Sequence, residues 1–371
     1  MDRKYCLIEH YTVYPNTMGR VTVISLAMIV KNEEKYLARC LRSAAAMVDE
    51  IIVVDTGSTD QTREIALECG AKLFHFEWCD DFSAARNYAL KQASGDWLLV
   101  LDADEYFVEE SADAIRAFTR STSRRIGLIE IVSKFVEDGH TFEGIHSNPR
   151  LFPRGVTYEG RIHEQPTPIL PMVETGLRLL HDGYYMTDKS DRNIPLLLKA
   201  LKDKPGSAYL NFQLGRQYQG MKQHELAVQY LEKAYALFRQ TDPVALENIT
   251  ELLQAYTKCK RYDKAMELAG DEVARLEYSP DFCFAVGQFL LDYAIDSQDY
   301  SVIENIENSY LKCLELGRRG VPETVVGSST FLAAYNLAVF YESIGNRSEA
   351  QRYYALSASY GYEPAVERAK G

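Results

Sequence analysis

The stretch Trp97-Leu98-Leu99-Val100-Leu101-Asp102-Ala103-Asp104-Glu105 decides how the first half of this 371-residue chain is read. Its apolar run marks a strand buried on both faces, and the run stops at two carboxylates one residue apart. Alternate side chains of a strand share a face, so Asp102 and Asp104 can converge on one hard cation. Taken alone, the pair suits a solvated acidic turn behind a core strand equally well. The surrounding sequence separates the two.

From Val21 to about Gly183 strand and helix patterns alternate. Val21 to Val30 reads as a strand, and Asn32 can cap a helix whose apolar face is Leu37, Cys40, Leu41 and Ala44. Ile51 to Val54 is a short buried strand. Thr59 or Asp60 can cap the next helix, which Gly70 closes. Lys72 to Phe76 is a further strand and Ser83 to Ala93 a helix. This order predicts a mostly parallel sheet with helices on both faces. Ligands of such sheets bind outside the carboxyl ends of the strands, where Asp55, Asp102 and the Lys31-Asn32-Glu33 turn all fall. The segment Asp55-Thr56-Gly57-Ser58-Thr59-Asp60 lacks both the Gly-x-Gly-x-x-Gly and the Gly-Lys-Ser/Thr signatures, which disfavours NAD and P-loop ATP chemistry.

After about Leu201 only helical patterns remain, with recurring landmarks. Leu214-Gly215, Tyr218, Ala227, Leu231 and Ala234 sit at tetratricopeptide spacings, and Leu337-Ala338, Tyr341, Gly345, Ala350 and Tyr354 repeat the register. Leu252, Tyr256 and Ala265 make a partial copy, and a degenerate one spans Asp281 to Leu316. The expected organisation is an extension over 1–20, an α/β domain over 21–200 and a helical-repeat domain over 201–371, joined near Pro205-Gly206.

Composition narrows the class. The formal charge of −12 argues against generic nucleic-acid binding. No run approaches the ~20 apolar residues of a membrane span, and Met1 to Arg20 lacks a signal-peptide core. Seven cysteines without short paired spacings read as free thiols in a reducing, cytoplasmic setting.

The ordered combination Ile29-Val30-Lys31-Asn32-Glu33, Val53-Val54-Asp55-Thr56-Gly57-Ser58-Thr59-Asp60, Ala85-Arg86-Asn87, Gly95-Asp96 and Asp102-Ala103-Asp104 resembles inverting glycosyltransferase family 2. The resemblance implies a GT-A fold and a UDP-sugar donor, UDP-glucose or UDP-N-acetylglucosamine first. It implies that Asp55 holds the uracil or ribose, with Val30 and Glu33 lining the nucleoside pocket. Arg86 would serve the nucleotide side, and Asp102 and Asp104 would bind Mg²⁺ or Mn²⁺ bridging the diphosphate. Thr56 stands where many members carry a second acid. With its C-terminal repeats the chain also resembles bacterial glycocin peptide S-glycosyltransferases, which implies a peptide or protein acceptor.

The remaining polar cluster belongs to the acceptor side. An inverting transfer needs one base to deprotonate the acceptor. Glu164 is the first choice and His163 the second, both within Tyr158-Glu159-Gly160-Arg161-Ile162-His163-Glu164. His181 could add a third metal ligand, and Lys189 and Arg192 could fold over the diphosphate. Each also suits a solvated or packed surface. The acceptor atom stays open between a Cys thiol, a Ser/Thr hydroxyl and a sugar hydroxyl on a cell-surface glycan or lipid-linked acceptor. The repeats would bind the acceptor or pair two copies as a homodimer. Two rivals fare worse. Haloacid-dehalogenase phosphatases want Thr or Val where Tyr106 stands, and a catalytically inactive repeat scaffold does not need the carboxylate pair.

Overall fold

The computed structural model describes residues 22–108, 112–120, 123–137, 140–182, 190–239, 242 and 244–370. The N-terminal extension, Cys6, Gly183, Tyr184 and Lys189 lie outside the described residues. In chain order the first half runs β1 Ile24–Val30, α1 Leu37–Ala44, β2 Glu50–Asp55, α2 Thr62–Glu68, β3 Lys72–His75, α3 Phe82–Gln92 and β4 Trp97–Val100. It continues with β5 Glu105–Phe107, α4 Ala112–Thr119, β6 Ile126–Glu137, β7 His140–Pro153, β8 Thr157–Glu159, β9 Gln165–Thr167 and β10 Met172–His181.

Eight strands form one sheet in the order β3-β2-β1-β4-β7-β6-β10-β5. The first four are parallel, as the alternating pattern predicts. Beyond β4 the sheet is mixed, which corrects the expectation of a mostly parallel one. Strands β6 and β7 follow one another without a helix, and a parallel pair would require such a crossover; they pair antiparallel, and β7 adds antiparallel to β4. β10 lies parallel to β6, and β5 lies antiparallel to β10. One face packs against α1, α2 and α4 through Leu26, Leu41, Ala66, Leu99 and Ile115; the other packs against α3 through Ala27, Val54, Ala89 and Val100.

The turn after β1 departs from its sequence reading. Asn32 does not cap α1, which starts at Leu37 without a side-chain cap. Asn32 takes a left-handed φ of 56°, and its Oδ1 accepts from the Thr59 N–H at 2.8 Å. The Asn32 and Glu33 N–H groups donate to Ser58 Oγ and Thr62 Oγ1 at 2.9 and 2.7 Å. The turns after β1 and β2 are therefore laced together at the carboxyl edge of the sheet.

The second half comprises α5 Ser190–Asp203, α6 Ala208–Gly220, α7 His224–Leu237, α8 Ala245–Lys258, α9 Tyr262–Leu276, α10 Pro280–Ser297, α11 Ile303–Arg318, α12 Phe331–Ser343, α13 Arg347–Ser359 and α14 Glu363–Arg368. Helices α6–α7 and α12–α13 are the two well-matched repeats, and α8–α9 and α10–α11 the weaker ones. Small residues sit where the paired helices approach: a Cβ on Gly215 would lie 2.5 Å from Leu231 Cγ, and one on Gly287 2.9 Å from the Tyr310 ring. Buried-to-rim tyrosines tie helices together by donating to acids, Tyr256 to Glu232 at 2.9 Å and Tyr235 to Glu272 at 2.8 Å. Among the described residues no helix is long and apolar enough to cross a membrane, and Cys40, Cys69, Cys79, Cys259, Cys283 and Cys313 are free thiols.

The two halves share a core. Ile162 packs with Leu196, Leu197 and Ala200 of α5 and Leu210 and Leu214 of α6, and Trp78 and Phe82 join them. Helix α5 thus runs across position 200 as a bridge between sheet and repeats. Arg161 reinforces it with ion pairs to Asp81 at 3.6 Å and Asp203 at 3.0 Å.

Candidate active site

A cavity of about 720 Å³ opens at the carboxyl ends of β1, β2 and β4. That volume lies within the range of small-molecule and cofactor sites. Its wall toward β1 and β2 comes from Ile29, Val30, Lys31, Glu33 and Thr56. Val30 and Glu33 are thus among the residues that line it. Asp55 is not: it is 1% exposed, and its carboxylate turns into its own loop. Ser58 and Gly57 N–H donate to it at 3.0 and 3.3 Å, and Arg63 Nε donates at 2.7 Å. Despite the burial that opposes ionisation, these partners hold the Asp55 carboxyl below its usual range.

The cavity floor is a chain of alternating charges. Asp102 Oδ1 accepts from Arg86 Nη2 and Asp102 Oδ2 from Arg150 Nη2, each at 2.8 Å. Arg86 also binds Glu164, and Arg150 binds Glu105. Burial would raise the Asp102 pKa, but the two guanidinium groups outweigh it and hold the carboxyl well below the ordinary range. Glu105 is 2% exposed, and its burial, with Asp102 beside it, pushes its pKa up against the pull of Arg150. Glu105 Oε2 accepts from the Asp102 N–H at 3.0 Å, which fixes the turn.

Strand β4 ends at Val100, so Asp102 and Asp104 stand on a turn and do not share a strand face. The turn separates them. Asp102 faces the arginines, while Asp104 Oδ2 lies 3.4 Å from His181 Nε2 at the end of β10. Ser133 Oγ is 3.0 Å from His181 Nδ1, leaving Nε2 toward Asp104. His146 lies in the same corner, its pKa lowered by burial and by His181. Among the described residues no three His, Cys, Asp or Glu side chains are grouped around one point. An oxygen-preferring cation commonly takes one or two carboxylates and completes its shell with phosphates and water; Asp104 is a carboxylate of that kind, and His181 beside it is a nitrogen donor.

His163 and Glu164 line the same cavity. His163 is a non-glycine residue at a left-handed φ of 52°, on the loop that Ile162 anchors in the shared core. Its Nε2 is buried without a hydrogen-bond partner. Burial lowers its pKa against the raising effect of Glu164, so the ring is neutral at pH 7. Sequence reasoning missed Glu105 and His146 as members of the site. It also missed Tyr209 and Gln217, which reach the cavity from the first repeat pair. Only the Glu105 position, next to the carboxylate pair, carried a local signal. Arg192 lines the cavity from α5.

Residues 25–162 match the Glycosyl transferase family 2 model. The chain is 30% identical over 225 residues to the SPbeta prophage-derived glycosyltransferase SunS of Bacillus subtilis, across 57% of this chain and 53% of that protein. It is 56% identical over 94 residues to a TPR repeat-containing protein of Synechococcus elongatus, across 25% of this chain and 23% of that one. The chain thus spans about half, or less, of the length of these relatives. Among solved structures MamA aligns with 49% of this chain and 92% of its own at 19% identity and a TM-score of 0.36. Glucosyl-3-phosphoglycerate synthase from Mycobacterium tuberculosis aligns with 31% of this chain and 44% of its own at 22% identity and a TM-score of 0.26. Residues 25–162 of the sheet domain are thus similar to glycosyltransferase family 2, and paired helices follow them in the chain.

Proposed function

We propose that this chain is an inverting glycosyltransferase that moves a hexose from a UDP-sugar to a peptide acceptor with the help of Mg²⁺ or Mn²⁺. The observation that carries the reading is the meeting of three groups in one cavity: the Asp104–His181 pair, the Arg86–Asp102–Arg150 floor and the unpartnered His163. The family match and the glycosyltransferase SunS support it from sequence.

The nucleoside would rest against Val30, Lys31, Glu33 and Thr56, with Asp55 keeping the loop in shape. Asp104 and His181 would hold the cation, which when bound neutralises charge on the departing diphosphate. Arg86 and Arg150, anchored on Asp102, set a fixed positive field under the same phosphates. Asp102 then acts as the anchor of both arginines, a role different from the cation ligand implied by resemblance. His163 would take the acceptor proton, because a neutral, unpartnered imidazole can accept it, whereas Glu164 is already paired to Arg86.

Thermal melting against UDP-glucose, UDP-N-acetylglucosamine and other nucleotide sugars, with and without Mn²⁺, tests the reading, followed by UDP release. A UDP-sugar that raises the melting temperature further with Mn²⁺ and is turned over supports it. Absence of both effects across the donor panel removes it.

A further inference from the structure

The sheet edge away from the cavity carries a surface that glycosyl transfer does not use. Strand β4 opens into the cavity at its carboxyl end; at its amino end Trp97 stands opposite Pro153, the last residue of β7. β6 and β10 begin at the same edge, with Gly127 opposite Leu151 of β7, Met172 opposite Ile126 and Val173 opposite Gly127. The loops there are bonded to one another. Ile126 N–H donates to Pro171 O at 2.9 Å, Arg124 Nη2 donates to Arg154 O at 3.2 Å, and Leu170 packs with Ile126 and Val156. Segments 123–126, 153–156 and 168–173 thus form one surface.

Two kinds of side chain meet on it. Ile169 is 92% exposed, and Met172 and Val173 near it are exposed as well. Leu170 is packed inward, and Pro168 and Pro171 have fixed φ, so Ile169 is held outward. A single surface isoleucine needs no explanation, but three large apolar side chains at one strand end mark an interaction site. Beside them stand Arg124, Arg125 and Arg154. Arg124 and Arg154 are exposed, and their guanidinium groups donate to the main-chain carbonyls of Arg154 and Ser94. Arg125 lies over the Phe118 ring, 4.3 Å from its centroid, and donates to Phe118 O at 3.4 Å. Among the described residues none of the three forms an ion pair, so their charge is uncompensated. In a chain with 53 acids against 41 lysines and arginines, the three segments contain no acid. Glu174 follows them, and the carboxylate of neighbouring Asp96 accepts from Val23 N–H at 3.1 Å.

An outstanding apolar tip beside uncompensated cations suits a boundary that is anionic at its surface and apolar beneath. A nucleic-acid backbone supplies the charge but leaves Ile169 in water, and a folded partner needs a pocket already shaped for it. Lipid tails flow around such a side chain, and lipid phosphates take the guanidinium groups. We infer that this edge docks on an anionic lipid bilayer, with Ile169 and Met172 entering the headgroup–acyl boundary and Arg124 and Arg154 among the phosphates. Docked so, the chain keeps the cavity's edge of the sheet in water. The inference stands independently of the glycosyl-transfer reading.

Flotation of the full chain with vesicles tests it, comparing phosphatidylcholine alone with equal parts of phosphatidylcholine and phosphatidylglycerol. Binding is expected to the anionic vesicles only. It should weaken as salt rises from ~0.1 M to ~1 M, where the screening length falls from about 10 to about 3 Å. Arg124→Gln and Arg154→Gln should each lower the partition coefficient about fivefold, and Ile169→Ser about tenfold. All three side chains are exposed, so the variants should melt with the wild type. Absence of binding to the anionic vesicles overturns the inference, as does equal binding to the neutral ones or binding that all three variants retain. A double-stranded DNA fragment and sedimentation of the chain alone probe the other occupants. DNA binding in place of vesicle binding would assign the arginines to a nucleic acid, and a dimer that Ile169→Ser dissolves would assign the edge to a second copy; either result replaces the bilayer.

Discussion

Asp104 Oδ2 lies 3.4 Å from His181 Nε2, a contact between the turn after β4 and the last residue of β10. Strands β4 and β10 are not neighbours; β7 and β6 lie between them. The contact exists because β5, which follows the Asp104 turn directly, crosses to the far edge and pairs with β10, placing Glu105 opposite His181. One short strand thus brings a carboxylate and an imidazole to the same corner.

Replacing either partner should remove the cation requirement along with the activity. Asp104→Asn and His181→Ala should each lower UDP-sugar turnover on the order of 10²–10³-fold, the usual effect of losing one stabiliser of developing charge. Mn²⁺ should no longer raise the melting temperature in the presence of UDP. Wild-type turnover of Asp104→Asn in excess EDTA would exclude the role.

Arg150 neutralises two carboxylates at once, and both it and Glu105 are buried. Arg150→Met should destabilise the fold by about 3–5 kcal/mol, because uncompensated charge is left in the interior. Adding Glu105→Gln should recover part of that loss. Urea denaturation of the three proteins checks both statements.

As the acceptor base proposed above, His163 would set the acid side of the pH profile through its lowered pKa. Its protonated form is disfavoured by burial, so the base is lost only below its ordinary value of 6.5. The acid limb of kcat/KM should fall below pH 6.5 and be absent from the residual activity of His163→Gln. Stability follows the same sign. The unfolded chain binds this proton more readily, so the contribution is present above pH 6.5 and is lost as pH falls toward the folded value.

Asp55 should behave as a loop anchor. Asp55→Asn weakens the bonds from Ser58, Gly57 and Arg63, so melting temperature and UDP affinity should fall together. The wild-type carboxyl titrates below its ordinary 3.8, so its stabilisation is full above that pH and is lost as pH drops through the folded value. Melting and UDP calorimetry from pH 3 to 7 would show it; a drop in UDP affinity alone would instead favour direct contact with the nucleotide.

Gly215→Ala tests the repeat packing. Alanine favours a helix over glycine by about 1 kcal/mol, but its Cβ would meet Leu231 Cγ at 2.5 Å. Overpacking of that kind costs about 1–3 kcal/mol, so the variant should melt lower, measurably so by calorimetry. A higher melting temperature would show that α6 and α7 can part without cost.

Local pattern was sufficient wherever one element answers to its own periodicity. The face Leu37, Cys40, Leu41 and Ala44 is wholly buried, since a helix turns every 3.6 residues whatever surrounds it. The strand Trp97–Val100 is likewise buried on both faces, and the Gly215 landmark marks a real helix–helix approach, against Leu231. The family motifs placed Val30, Glu33, Arg86, Asp102 and Asp104 at one edge of the sheet before any coordinates. Partnership was another matter, because hydrogen bonds and ion pairs depend on which distant segments the chain brings together. The sequence of Asp55 is compatible with a nucleotide ligand, but its neighbours Gly57, Ser58 and Arg63 claim the carboxylate first. Asp102 looks like a cation ligand until Arg86 and Arg150 arrive from α3 and β7. Gln217 carries no local sign of function; the shared core of Ile162, α5 and α6 brings the repeats against the sheet and turns a packing helix into a wall of the cavity.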